Sequence, residues 1–183
     1  MSEFFLELFS EEIPTRLQKN LREKILKDFK FLFENKSIKS NKSFSLSSPN
    51  RMVIVFDGLD KQIELKPKEI KGPKINAPDQ AIDGFLRSNK IEKKELIKKK
   101  IEKDEFYFYK TKLINLKTRD LLVEFIPKIL NNYQWKKSMK WGEFELNWGR
   151  PLKSILSLFD GTIIDFKFHH LNSSNLTFID KDF

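Results

Sequence analysis

Phe4-Phe5-Leu6-Glu7-Leu8-Phe9-Ser10-Glu11-Glu12-Ile13-Pro14 is the stretch whose reading decides the fold. Its first six residues alternate, with Phe4, Leu6 and Leu8 on one wholly apolar side and Phe5, Glu7 and Phe9 on the other. Period two predicts a strand with a face against a core. Ser10 to Pro14 then open a helix, because Pro costs little in a first turn and Glu11 and Glu12 suit the positive end of a helix dipole. Leu17, Leu21, Ile25, Phe29 and Phe33 follow at spacing four, widened by Leu26 and Leu32, so the helix is expected to run to about Asn35.

Further along, 44–46 reads as a short strand and Met52-Val53-Ile54-Val55-Phe56 as a buried one, with a turn expected at Asp57-Gly58. Ile63, Leu65 and Ile70 suggest a strand broken at Pro67. Lys71-Gly72-Pro73 cannot lie inside a helix or a central strand. Pro78-Asp79 starts a second helix carrying Ala81, Ile82, Phe85 and Leu86. Residues 90–103 hold seven Lys and three Glu, including Glu92, Glu95 and Glu102, and read as a solvated face. Phe106-Tyr107-Phe108-Tyr109, then Leu113, reads as a strand. Thr118 is placed to cap a third helix bearing Leu121, Leu122, Phe125, Ile126, Ile129, Leu130 and Tyr133, kinked at Pro127. A hairpin of 154–159 and 162–168 about Asp160-Gly161 closes the chain. Irregular alternation with hairpins favours α+β: a mixed or antiparallel sheet with about three amphipathic helices packed on it, in one compact unit with a possible sub-boundary near 115–135.

The 183 residues carry 35 Lys and Arg against 26 Asp and Glu, a net charge of +9. Of the cations, 29 are Lys and six are Arg, which is also the drift of an AT-rich coding sequence. Phe alone occurs 18 times, enough aromatic side chain to build a core and argue against long disorder. With no Cys, a disulfide framework and a Cys-based metal site are excluded. Glu3 and Glu7 interrupt the apolar start, and no apolar run approaches the roughly 18–20 residues of a membrane span, so a soluble cytoplasmic protein is expected.

The residues offer no catalytic constellation and no metal site. His169 and His170 are adjacent, and on a strand end they would point to opposite faces. Glu11-Glu12 is a neighbouring pair already accounted for by the helix start. No GxxxxGK[ST] or GxGxxG phosphate cradle occurs, and Lys137-Ser138-Met139-Lys140 resembles the ATP-contacting loop of one synthetase class without any companion motif. Trp135, Lys136, Lys137, Met139, Lys140, Trp141, Trp148 and Arg150 crowd together. Aromatics beside cations suit RNA. Equally, buried Trp with Lys stems along the rings would be core. Both readings stand.

Several separated stretches resemble the N-terminal part of the β subunit of bacterial heterotetrameric glycine–tRNA ligase. The opening 4–14 is similar to that family's "LLLEIGTEELP", and Ser48-Pro49-Asn50-Arg51-Met52-Val53-Ile54-Val55 to its "TPRRLAVLV". Lys71-Gly72-Pro73 matches its KGP, and Gly84-Phe85-Leu86-Arg87-Ser88-Asn89 its "GFARSNG". Ser138-Met139-Lys140-Trp141-Gly142 and Arg150-Pro151-Leu152 resemble "KSMRWG" and the later "RPIHWLVAL". Order and spacing agree from about residue 4 to 168. Phe9 and Asn50 depart from the family's Gly and Arg, and His169-His170 stands where the family has "GHRF".

The resemblance implies an enzyme of two α and two β subunits that uses ATP, with Mg, to attach glycine to its tRNA. The α subunit would carry the amino-acid and ATP site. This chain would bind no cofactor, be inactive alone, and serve as a non-catalytic N-terminal α+β region contacting tRNA, the α subunit or both. The family's later helical and anticodon-binding domains are absent from the sequence, so the chain reads as the first segment of a longer subunit. The residues assigned to tRNA or partner contact are Arg51, Lys71, Arg87, Lys136, Lys137, Lys140 and Arg150. Arg51 and Arg150 flank turns, and Arg grips phosphate or carboxylate bidentately, although an internal bridge to Glu or a carbonyl clamp would use them as well. The alternatives are a free-standing RNA-binding module or a protein-interaction scaffold.

Overall fold

The computed structural model describes residues 2–65, 67–101 and 104–178. Glu102 and the terminal 179–183 of the sequence reading lie outside the described residues. In chain order the elements are β1 (Ser2–Ser10), α1 (Thr15–Asn35), β2 (Lys42–Ser47), β3 (Arg51–Leu59), β4 (Gln62–Leu65), β5 (Glu69–Lys74) and α2 (Asp79–Asn89). They continue with β6 (Leu96–Ile101), β7 (Asp104–Lys110), β8 (Ile114–Lys117), α3 (Thr118–Asn131), β9 (Leu152–Phe159), β10 (Thr162–Ile163), β11 (Lys167–Phe168) and β12 (Leu171–Ser174). This is the expected α+β class. One compact unit was expected, but the chain forms two: residues up to Ile63 together with those from Leu116 onward, and Glu64–Asn115 inserted between them. β4 and β8 carry the chain out and back and pair with each other.

In the larger unit the strand order is β11-β12-β9-β1-β3-β2. β1 is central and antiparallel to both β3 and β9, with Leu6 opposite Ile54 and Ser157. The path β1-α1-β2-β3-α3-β9 is thus the doubled split βαβ of ferredoxin-like folds. Phe4, Leu6 and Leu8 face α1, whose Leu17, Leu21, Ile25, Phe29, Leu32 and Phe33 are all buried. Phe4 and Phe29 meet at 5.2 Å, and Phe33 and Phe56 edge-on at 4.9 Å. Full burial of each such side chain is worth about 1.5–3 kcal/mol. This cluster therefore ties the helix to the sheet.

Four local expectations change. Glu11 and Glu12 precede α1, whose first turn holds no acidic residue. Asp57-Gly58 does not end β3. Gly58, at φ +69, sits in a β-bulge where Ser2 pairs with Leu59 but Phe4 with Phe56. Thr118 does not cap α3: it is the helix's first residue, and its hydroxyl donates to the Asp60 carbonyl. Residues 162–168 are not one strand, because Ile164 and Phe166 turn into the core between β10 and β11. Asp160-Gly161 does form the expected turn, both at positive φ, as a two-residue hairpin with right-handed strand twist requires.

In the inserted unit, β5, β7 and β6 form an antiparallel sheet in that order, beside α2. Lys71-Gly72-Pro73 lies in edge strand β5, at a register shift, where a missing N–H is tolerated. A Cβ on Gly72 would stand 3.0 Å from the Phe85 ring and 3.1 Å from the Tyr107 carbonyl. Two separated motifs, 71–73 and 84–89, thus pack on each other. β6 is mostly exposed, as a solvated lysine-rich face should be.

Candidate nucleic-acid interface

Three stretches far apart in sequence are stitched together at one end of the larger sheet. β1 ends at Ser10, whose N–H donates to the Asn50 carbonyl at 2.8 Å. Glu11 N–H donates to Pro151 O at 2.9 Å, and Ile13 N–H to Pro49 O at 2.8 Å. The Asn50 amide nitrogen returns a 3.3 Å bond to Ser10 O. These bonds satisfy backbone groups at the point where β1 gives way to α1, β3 begins and β9 begins. Between them opens a cleft of about 470 Å³ walled by Glu11, Glu12, Asn50, Arg150 and Lys153. Arg150 donates from Nη1 to the Gly149 carbonyl at 2.8 Å, the carbonyl clamp.

The next wall is built by the tryptophans. Trp148 is 2% exposed and meets Trp135 at 5.0 Å and Phe168 at 5.8 Å. Tyr133 lies 4.8 Å from Trp135, and burial raises its phenol above the ordinary value. Trp135 lies so close over Gly149 that a Cβ there would fall 2.1 Å from its ring. Trp148 and Phe168 therefore belong to the core, and Trp135 and Tyr133 are half-buried against it. The cations beside them lie outside it: Lys136, Lys137 and Lys140 are exposed. Lys136 and Lys137 share with Arg16, Leu17 and Asn20 a second cleft of about 320 Å³ at the start of α1. Exposed cations around a shallow cleft can hold phosphate oxygens without burying a charge.

The other sequence candidates are placed differently. Arg51 donates from Nη1 to Glu7 Oε1 at 2.8 Å and to the Thr177 hydroxyl, and its guanidinium lies 4.7 Å over Phe9. It makes the internal bridge. Lys71 and Arg87 belong to the inserted unit; Arg87 is exposed, and the Lys71 ammonium lies 3.8 Å over the Phe106 ring. Arg16 and Lys153 were missed in the sequence. The usable signal was Arg16 two residues past Pro14, inside the resembling stretch's flank; Lys153 had none.

His169 and His170 occupy the tight turn between β11 and β12, with His169 at φ +53, and not a strand end. His169 Nε2 lies 2.9 Å from Asn131 Oδ1, while His170 stacks on Phe144. Burial, and then the neighbouring His169, hold the His170 imidazole below the ordinary histidine value. Among the described residues no group of three or more His, Cys, Asp or Glu could hold a metal ion, and no helix is long and apolar enough to cross a membrane.

Comparison with known proteins bears on this arrangement. The family model described as glycyl-tRNA synthetase beta subunit matches residues 4–182, past the His169 region. The chain is 40% identical over 178 residues to the glycine–tRNA ligase beta subunit of Rickettsia felis (strain ATCC VR-1525 / URRWXCal2), covering 97% of this chain and 27% of that protein. It is 41% identical to that of Rickettsia bellii (strain OSU 85-389), with the same coverage. With that of Rickettsia canadensis (strain McKiel) it shares 40% over 179 residues, 97% of this chain and 26% of that protein.

Proposed function

The chain belongs to the glycyl-tRNA synthetase beta subunit family, and on that premise we propose that it is a non-catalytic N-terminal part of a glycine–tRNA ligase β subunit that contacts tRNA. It spans about a quarter of the length of the relatives it matches, 27% in the first case, so the activity is assigned to the larger assembly. In that assembly an α subunit would supply the amino-acid and ATP site, with Mg, and this chain would help position glycine tRNA in the cytoplasm. The observation that carries the reading is the convergence of Arg16, Lys136 and Lys137 on one cleft. Trp135, the neighbour of Lys136 in the chain, packs on Gly149, the neighbour of Arg150.

The test is a salt titration of glycine-tRNA binding. The triple variant Arg16→Gln, Lys136→Gln, Lys137→Gln should bind more weakly at low salt. Each lost phosphate contact should flatten the slope of log affinity against log salt by about 0.7–0.9. Its melting temperature should match wild type, because all three side chains are solvent-facing. An unchanged slope with a lowered melt would assign these residues to stability instead. The purified chain should show no glycine-dependent pyrophosphate exchange; exchange at an enzymatic rate would overturn the non-catalytic assignment.

A further inference from the structure

We propose that the loop 140–147 holds an unpaired nucleobase of the bound RNA, with Phe144 as the stacking surface and His170 as the support behind it. The inference rests on the tRNA-contact reading and names a site within it.

Met139 and Trp148 exchange backbone hydrogen bonds, N to O at 2.8 and 3.1 Å, and so close the loop at its base. Gly142 takes φ +54, and Phe144 N–H donates to Trp141 O at 3.2 Å, which fixes the turn that presents Phe144. The Phe144 ring lies flat on the His170 imidazole, 3.7 Å between centroids and 6° between planes. Trp141 meets the same imidazole edge-on at 5.8 Å. The support is itself held, since His170 sits in a tight turn whose His169 is bonded to Asn131.

Phe144 is nevertheless 44% exposed, while Leu146 and Trp148 in the same stretch are 3% and 2% exposed. One face of the ring is covered by His170, so the exposed part is the other face and the edge. A ring held flat and open on one face needs no rearrangement to accept a second flat ring, and such stacking is how proteins take splayed-out bases. Charge selects the part of the nucleotide. Lys140 is opposed by the exposed Glu143 and Glu145, so the loop repels phosphate on balance. The base is therefore taken here, and the backbone is held at the Arg16–Lys136–Lys137 surface. A duplex keeps its bases stacked inside and cannot use the site. An unpaired end or loop of a tRNA can.

The experiment compares wild type with Phe144→Ala, Phe144→Leu, Phe144→Tyr and the pair Glu143→Gln, Glu145→Gln. The probes are a short single-stranded oligoribonucleotide bearing one 2-aminopurine and a blunt RNA duplex of the same sequence. Phe144→Ala and Phe144→Leu should weaken single-strand binding about 5- to 150-fold, the range for one base–aromatic stack. Both should abolish the 2-aminopurine quench and leave the salt slope and the duplex affinity alone. Phe144→Tyr should restore binding, and the Gln pair should tighten it. Equal losses on the duplex, failure of Tyr to restore, or full RNA affinity with lost association with the α subunit would each overturn the proposal, the last in favour of a protein partner. A wild type that binds tRNA while Phe144→Ala binds equally removes only the stacking site. A wild type with no salt-dependent RNA binding removes the tRNA reading as well.

Discussion

Replacing Arg51 by Met distinguishes an internal role from an RNA-facing one. The Glu7 side chain is 9% exposed and that of Arg51 27%, and their 2.8 Å bond is supplemented by Thr177, whose hydroxyl also donates to Glu7. Arg51→Met leaves the Glu7 carboxylate with the Thr177 hydroxyl alone. Stranding one partner of a fully buried pair costs about 3–5 kcal/mol. Arg51 is reached by water and Thr177 remains, so about 2–3 kcal/mol is expected here. For a chain of this length that lowers the melting temperature by about 4–12 °C, at roughly 2–4 °C per kcal/mol. The double variant Glu7→Leu, Arg51→Met removes both charges and should return to within about 1 kcal/mol of wild type, because an apolar pair can replace a buried ion pair. Urea melts followed by far-UV circular dichroism give the cycle, and tRNA affinity is measured on the same samples. If Arg51→Met melts like wild type and loses tRNA affinity, the internal assignment is wrong.

Three further outcomes are expected. Gly149→Ala should cost about 1–3 kcal/mol as overpacking, with a shifted tryptophan emission, because its Cβ would fall 2.1 Å from Trp135; an unshifted melt and spectrum would show that Trp135 does not pack there. Leu21, 1% exposed at the centre of α1, should cost about 2–5 kcal/mol as Leu21→Ala and leave Leu21→Asp unfolded or insoluble; a wild-type melt for either would take α1 out of the core. Burial lowers the His170 pKa in the folded chain, so the unfolded chain binds more protons near the ordinary value: its contribution to stability is present above about 6.5 and lost as pH falls from there through the lowered folded pKa. Imidazole NMR titration should place His170 below the ordinary histidine value, and His170→Phe should flatten this part of the stability curve, whereas an unchanged curve would mean His170 is not desolvated.

Much of the local structure was legible because a regular element imprints its own period on its buried side chains. Leu17, Leu21, Ile25 and Phe29 repeat every four residues and are buried in α1. Phe4, Leu6 and Leu8 repeat every second residue and are buried in β1. The Trp cluster was legible only as an ambiguity. Its composition suits both core and RNA, and the fold divides it, with Trp135 and Trp148 inward and Lys136, Lys137 and Lys140 outward. Thr118 shows how a tertiary bond overrides a local rule: a hydroxyl suited to capping went instead to the Asp60 carbonyl, 58 residues away.

The sequence by itself determined the α+β class, the strand–helix opening, the turn at Asp160-Gly161 and, through five ordered motifs, the family. It could not show that Arg51 would be drawn to Glu7, 44 residues earlier, or that 10–14, 48–51 and 149–151 would meet at one end of a sheet. Nor did it show that Glu64–Asn115 would form a unit of its own, or that His170 would lie flat beneath Phe144. Period and propensity act over a few residues, and a single chain displays them directly. Strand order, charge pairing and ring stacking depend on which surfaces meet once the chain has closed loops of tens of residues, and that choice is made by the packed whole.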